Sequence, residues 1–288
     1  MVISKLKYII TSLKSFLISS QVIPLLYEVE LENHQDTRRS NSKNPFFTKI
    51  KRYSLFSQSD EDSIIDEIIE RLNIRDGKFL ELGVGNGLQN NTLNLLSQNW
   101  SGYWIGAEEL AFNPGSKLKF LKKWITKDNI LKILKNEINN ITEKYSIDLI
   151  SIDLDGNDYY IWESLLSKGV HPKIIVSEYN GLLGPKAEWI MPYQENFFWK
   201  KYRSMYFGAS FKSYLKLFEK FNYFPICCNT DTGVNIFLVE KEFEDHFKEV
   251  LNLKENLIYE SPYYLLSKGK KIHKPSSRLA SSFTNHRF

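Results

Sequence analysis

Between Lys78 and Glu240, short and nearly continuous apolar runs alternate with longer segments in which apolar residues recur every three or four positions. The short runs are "KFLELG" (78–83), "GYWIGAE" (102–108), "LKKWIT" (121–126), "IDLISID" (147–153), "KIIVSEY" (173–179), "YFPICCN" (223–229) and "VNIFLVE" (234–240). Each reads as a strand. The long segments read as helices. The first is "SQSDEDSIIDEIIERLNI" (57–74), where Ile64, Ile65, Ile68, Ile69 and Leu72 share one face and Ser59 and Asp62 have the spacing of a helix start. The others are "LQNNTLNLLSQNW" (88–100), "KDNILKILKNEINNITEKY" (127–145), "YYIWESLLSKG" (159–169) and "SFKSYLKLFEKF" (210–221) with Ser210 as its cap. Strands that are apolar on both sides and alternate with helices imply a mostly parallel sheet covered on both faces, a doubly wound α/β architecture. The last two strands, separated only by "NTDTG", read as a hairpin, which places one antiparallel strand in the sheet.

The flanks are different in kind. "KLKYIITSLKSFLISSQVIPLLYEV" is apolar but interrupted by Lys5, Lys7, Lys14 and Pro24, and it lacks a clean small-residue cleavage site. It is expected to be an amphipathic helix packed on the fold or on a partner, in preference to one lying on a membrane. Residues 28–52 read as a polar linker or exposed loop. From Ser267 onward six basic residues occur without an acid, a pattern expected of a solvated end. The expected organisation is therefore an N-terminal helical extension and linker (1–55), an α/β domain (56–245) and a C-terminal extension with a basic tail (246–288).

Composition narrows the function class. The chain has 38 Lys/Arg against 34 Asp/Glu, and its basic excess lies in the tail, so a nucleic-acid binder is not expected. Hydrophobic residues make up 42% of its 288 residues, enough for a large core, and no apolar run is long enough for a confident membrane span. The two cysteines are adjacent, Cys227 and Cys228, which is neither a disulfide framework nor a zinc spacing. A reducing, cytoplasmic setting is expected.

In an open α/β sheet, ligands bind beyond the carboxyl ends of the strands. That rule selects four short stretches: "ELGVGNG" after the first strand, "GAEE" after the second, "DLDGND" after the fourth and "SEYNG" after the fifth. Glycines in the first stretch let a ligand approach the backbone. Their G-x-G-x-G spacing, with Glu81 preceding, departs from the dinucleotide fingerprint G-x-G-x-x-G. Asp153, Asp155 and Asp158 crowd the end of the fourth strand.

Taken together, the glycine turn, the acids after the second strand and the acidic end of the fourth resemble a class I S-adenosylmethionine-dependent methyltransferase. The blocks "SQSDEDSII", "FLELGVGNGLQNNT", "NWSGYWIGAEE", "ITKDNI", "LISIDLDGNDYYIWESL", "IIVSEYNG" and "YFGASFKSYLKLFEKFNYFPICCNTDTGVNIFLVE", between about residues 57 and 240, resemble the FkbM-like group more closely. The resemblance implies a Rossmann-like, seven-stranded sheet with an antiparallel terminal strand, and S-adenosyl-L-methionine as cofactor. It implies that Glu81, Gly83, Gly85 and Gly87 line the methionine and ribose part. Where that group tends to carry an acid at the end of the second strand this chain has Gly106, so Glu108 or Glu109 would serve the ribose. Asp128 and Asn129 could reach the adenine or simply start the next helix. It also implies O-methylation of a sugar, glycan or related small molecule.

A hydroxyl acceptor needs a base or a metal. None of the five histidines falls at a carboxyl end of a strand. Carboxylates are therefore expected to act: Asp153, Glu178 and Asn180 as ligands of Mg²⁺ or a similar hard cation, or Asp153 or Asp155 as a direct general base. Asp158 is expected to start the following helix, and the whole "DGND" stretch could also be a plain turn. The aromatic stretch 180–210 is expected to form the acceptor pocket, with Trp189, Tyr193 and Tyr206 as contacts. Two rival readings remain open: a nucleotide-sugar glycosyltransferase using Asp153-x-Asp155, and a non-catalytic Rossmann-like scaffold.

Overall fold

The computed structural model describes residues 33–263 except Arg203 and the side chain of Tyr202. The amphipathic N-terminal stretch and the basic tail, with His273 and His286, lie outside the described residues. The chain divides into two compact units, residues 1–42 and 43–288. In the first, residues 33–41 are helical where the sequence reading expects a linker or loop.

The second unit is built on a seven-stranded sheet: β1 (Lys78–Leu82), β2 (Ser101–Gly106), β3 (Leu118–Lys122), β4 (Leu149–Ile152), β5 (Ile174–Glu178), β6 (Tyr223–Cys228) and β7 (Asn235–Glu240). Their spatial order is β3-β2-β1-β4-β5-β7-β6. Only β7 runs against its neighbours, pairing antiparallel with β5 and with β6. This is the expected Rossmann-like sheet, mostly parallel with one antiparallel strand near its end. Three helices, α1 (Glu61–Arg71), α3 (Asp158–Ser167) and α5 (Phe211–Lys220), form where expected, with one short turn, α4 (Trp199–Tyr202), between the last two, and Ser210 caps α5 by accepting the Ser213 amide at 3.3 Å.

Two expected helices are shorter than their apolar pattern. Segment 127–145 is helical only as α2 (Ile130–Glu137), because Asn139 and Asn140 turn the chain, Asn140 with φ 58°. Segment 88–100 holds only a 3₁₀ helix, Leu93–Gln98, because the amides of Asn91 and Thr92 are drawn to the buried Glu81 carboxylate instead. Likewise β3 begins earlier than expected and leaves Trp124, Ile125 and Thr126 in the loop beyond it.

The strands are buried on both faces, as their unbroken apolar runs require. Leu80, Leu82, Ile150, Ile152 and Ile175 pack against α2, α3 and α5, with Trp162 and Phe218 at the centre. Phe79, Trp104, Leu149, Ile174, Val176 and Phe237 pack against the isoleucine face of α1 and against Phe46 and Phe247. Each of the four buried α1 isoleucines is worth roughly 1.5–3 kcal/mol relative to exposure, which ranks burial far above any surface ion pair. Cys227 and Cys228 are both free and buried in β6.

The start of α1 differs from the expected capping box. The helix begins at Glu61, and Ser59 makes no cap. Asp62 instead reaches backward, and its Oδ2 accepts the amides of Leu55, Phe56 and Ser57 at 2.7, 2.9 and 3.0 Å. Asp60 and Glu61 turn toward the β6–β7 hairpin. Asp60 accepts from the Thr230 amide and hydroxyl, and Glu61 from Asn229 and Asn235. Among the described residues no helix is long and apolar enough to cross a membrane.

Candidate active site

The carboxyl ends of β1, β2, β4 and β5 open onto two adjoining clefts. The first is walled by Gly83, Gly85, Gly106, Glu108, Trp124 and Phe198, among others. The second is walled by Glu81, Asn90, Asn91, Glu178, Asn235 and Phe207, among others. Gly83, Asp153, Asp155, Trp199 and Lys200 line both. The turn after β4 is thus the partition between them.

That turn is held by three devices. Gly83 has φ 92°, and a Cβ there would fall 1.6 Å from the Asp153 carbonyl oxygen, so β1 and β4 can meet only at a glycine. Asp155 adopts the left-handed conformation at φ 57°, which Asp tolerates better than most residues. Asp158, the first residue of α3, accepts the amides of Leu154 and Gly156 at 2.7 and 2.9 Å. Its expected role at the helix start is therefore joined to one in shaping the turn. Burial, opposed by those amides, raises the Asp158 carboxyl to about 6.

Asp153, Asp155 and Glu178 converge, each offering an oxygen within 4.8 Å of the others. Asp153 keeps access to the clefts, yet protein surrounds its carboxylate on most other sides. That burial, with the charges of Asp155 and Asp158, pushes it well above the usual range. Glu178 is raised in the same direction by burial and by the charge of Asp153. Two carboxyl groups this close can pair through a hydrogen bond only while one of them carries a proton. Asp155 is raised by burial, with Lys200 opposing. Three carboxylates of like charge brought this close at the edge of a cleft have the chemistry of a hard-cation site.

Other expected residues are placed elsewhere or committed to other partners. Glu81 lines the second cleft, but its oxygens accept the Asn91 and Thr92 amides (2.9 and 3.1 Å) and the Thr92 hydroxyl (2.5 Å), making it the anchor of the loop after β1. Gly85 is open, with no atom within 4 Å of a built Cβ. Gly87 instead faces Leu110, Trp104 and Phe112, and lines neither cleft. Glu108 lines the first cleft and pairs with Lys200 at 3.1 Å, whereas Glu109 pairs with Lys122 at 2.5 Å outside it. Asp128 is exposed, and neither it nor Asn129 lines the clefts. Asn129 accepts the Thr126 amide at 2.8 Å and donates to the Trp124 carbonyl at 2.9 Å, which shapes the loop that does line the first cleft.

Asn180 is fully buried and absent from both walls. Its amide nitrogen donates to the Met205 and Phe207 carbonyls at 3.0 and 2.9 Å, so it clamps the aromatic stretch, while its Oδ1 has no protein partner. Within that stretch, Trp189 and Tyr206 pack edge to face in a small core with Met191, Phe197 and Phe207. Tyr193 packs on Tyr160 and under Lys127. None of the three lines a cleft. The aromatic surface of the clefts comes from Trp124, Phe197, Phe198, Trp199 and Phe207. Trp124 donates from Nε1 to the Glu195 carbonyl at 3.0 Å, and Phe197 covers Gly156, where a Cβ would stand 2.4 Å from its ring. Sequence reasoning missed Trp124, whose only signal was a tryptophan at a strand end with nothing apolar to pair with. It also missed Asn90 and Asn235, which carried none. His171 flanks the opposite edge of the sheet, before β5, as its position in the sequence implies.

No protein-family model matches the chain, and no curated protein does. Solved structures that it is similar to include a 1,6-didemethyltoxoflavin N1-methyltransferase of Burkholderia thailandensis (11% identity, TM-score 0.36, covering 76% of this chain and 88% of that one). The plantazolicin methyltransferase BamL is another (16%, 0.38, 79% and 79%). A third is a SAM-dependent methyltransferase of Thiobacillus denitrificans (13%, 0.32, 60% and 66%). At such identities and TM-scores the likeness bears on neither substrate nor chemistry.

Proposed function

We propose that the chain is an S-adenosylmethionine-dependent O-methyltransferase acting on a hydroxyl of a sugar, glycan or related small molecule, with a divalent cation at the carboxylates. The supporting observation is the shared partition: a methyl donor in the first cleft and an acceptor in the second would meet at Gly83, Asp153 and Asp155. The first cleft fits the cofactor. Gly83, Gly85 and Gly106 leave the backbone open to a ligand, Glu108 offers a carboxylate to the ribose hydroxyls, and Trp124 with Ile125 offers apolar surface to the adenine. The ion pair Glu108–Lys200 is exposed and therefore weak enough for a ribose to displace.

When bound, S-adenosylmethionine supplies an electrophilic methyl group on a sulfur that accepts the electrons of the broken bond. The protein's part is to hold donor and acceptor in line and to take a proton from the hydroxyl. Asp153 stands in both clefts and has a raised affinity for protons, as a base for an alcohol requires. Asp153, Asp155 and Glu178 would hold a divalent cation, which would supply positive charge that lowers the hydroxyl's pKa. The two uses of Asp153 are alternatives, and chelation separates them.

Calorimetry on the full chain with S-adenosylhomocysteine and with a nucleotide sugar tests the reading. Micromolar binding of the first is expected. Binding of the nucleotide sugar alone would favour a glycosyltransferase using Asp153-x-Asp155, and binding of neither a scaffold.

A further inference from the structure

The first cleft runs across the sheet in strand order. Lys123 and Trp124 line it beyond β3, Glu108 beyond β2, Gly83 beyond β1, and Asp153 and Asp155 beyond β4. Two cations stand in its wall, and they are placed differently. Lys123 belongs to the β3 end, where its amide donates to the Gly106 carbonyl at 2.9 Å. Lys200 lines both clefts. Its ammonium meets the Glu108 carboxylate at 3.1 Å, and its charge also opposes the raised proton affinity of Asp155. Lys200 thus stands between the loop after β2 and the acidic turn after β4. Its backbone is placed by two loops of the sheet edge. In the segment leading into α4, the Glu195 carbonyl accepts from Trp124 Nε1 at 3.0 Å and the Gln194 carbonyl from Asn157 Nδ2 at 2.8 Å. The side chain itself is half exposed, and an exposed ion pair holds it only weakly.

A nucleoside with its adenine at Trp124 and its ribose at Glu108 would direct its 5′ end toward β1 and β4. That end of the cleft carries Asp153 and Asp155, with Lys200 as the cation beside them. The amino-acid end of S-adenosylmethionine brings an ammonium, which those acids favour, and a carboxylate, which they repel unless a positive group faces it. A phosphate brings only negative charge, so the same acids disfavour it. Ribose hydroxyls that donate to Glu108 compete with Lys200 for the same oxygens. We infer that Lys200 is a cofactor-binding residue that changes partner: the ribose takes Glu108, and the released ammonium holds the carboxylate of the cofactor's amino-acid end. The inference rests on the first cleft being the cofactor side of the proposed methyltransferase, and binding alone tests it, without turnover.

The test is calorimetry on the full chain with S-adenosylhomocysteine, with 5′-methylthioadenosine, which keeps adenine, ribose and sulfur but lacks the amino-acid end, and with ADP. Lys200→Met is expected to weaken S-adenosylhomocysteine about tenfold or more, the usual worth of a charge-assisted hydrogen bond. The same variant should bind methylthioadenosine as well as the wild type or better, because nothing then competes for Glu108. Lys200→Arg keeps the charge and should hold both ligands within about threefold of the wild type, and Lys123→Met should change both by the same factor. Three results overturn the inference while leaving the cofactor site standing. Equal weakening of both adenosine ligands by Lys200→Met would make Lys200 a structural support. Equal tightening would make it only a competitor for Glu108. Tighter binding of ADP than of S-adenosylhomocysteine, lost in Lys200→Met, would make it a phosphate ligand. A wild-type chain that binds neither adenosine ligand removes the methyltransferase reading, and this inference with it.

Discussion

Gly83 and Asp153 meet backbone to backbone, with room for no Cβ between the turn after β1 and the carbonyl that closes β4. The contact joins the glycine turn to the acidic turn, and so joins the two clefts. Gly83→Ala must move backbone as well as adopt φ 92°, and is expected to cost at least ~3 kcal/mol. Gly85→Ala meets no atom within 4 Å and faces only the conformational cost of φ 52°, about 1–2 kcal/mol. Urea denaturation of the two variants should therefore separate them clearly. Equal stabilities would show that the contact does not hold the turn.

Stability should fall as pH rises. Burial raises Glu61 to about 7 and Asp158 to about 6, and it raises Asp153 and Glu178 in the same direction. A carboxyl whose folded pKa is raised binds protons more tightly in the native state. Its contribution is thus complete below about pH 4 and is lost as pH climbs through the folded value. For Glu61 alone the loss is on the order of 3 kcal/mol between pH 4.5 and pH 7. Thermal melts should show Tm declining from pH 5 to pH 8, with a shallower decline in Glu61→Gln. A Tm that rises across this interval contradicts the assignment.

Mn²⁺ or Mg²⁺ should offset that decline, because a cation at Asp153, Asp155 and Glu178 replaces the shared proton. Glu178→Gln keeps a donor toward Asp153 without a titrating proton. It is expected to raise stability at pH 8 by about 1 kcal/mol while weakening metal binding at least tenfold. Asp155→Asn retains a side chain suited to φ 57° and should reduce metal affinity with stability changed by less than about 0.5 kcal/mol. Calorimetry with the metal chlorides reads the first effect and denaturation the second. No heat from any divalent ion leaves Asp153 as a direct base.

Glu108 and Glu109 should separate in cofactor binding. Only Glu108 lines the first cleft, so Glu108→Ala is expected to weaken S-adenosylhomocysteine binding by about 10- to 100-fold, and Glu109→Ala by less than twofold. Both ion pairs are exposed, so neither change should move stability by more than about 0.5 kcal/mol. A larger effect from Glu109 would reverse the assignment.

Much of this was legible along the chain. An apolar run such as "DLISID" is buried on both faces because parallel strands are covered on both faces, so its element type and the position of its acidic end could be read directly. The convergence of Asp153, Asp155 and Glu178 followed from neighbouring β4 and β5. Roles within a turn were not legible, since Glu81, Asn129 and Asn180 have the same chemistry whether they bind a ligand or a loop. Each was claimed by nearby backbone groups that burial would otherwise leave unpaired. The aromatic residues were ambiguous for a similar reason. Trp189 and Tyr206 pack on each other away from the clefts, while Trp124 and Trp199 line them.

The sequence by itself determined the strands, the helices that cover them and the acids at the ends of β4 and β5, because periodicity and burial are local signals. Tertiary structure alone decided which side chains meet across the sheet edge. Asn235 shows why. It begins β7 instead of ending a strand, and only the antiparallel insertion of β7 beside β5 brings that beginning to the reactive edge, opposite Glu178 and within reach of Glu61 at the start of α1. Residues 174 positions apart in the chain were made partners by strand direction, which no local pattern encodes.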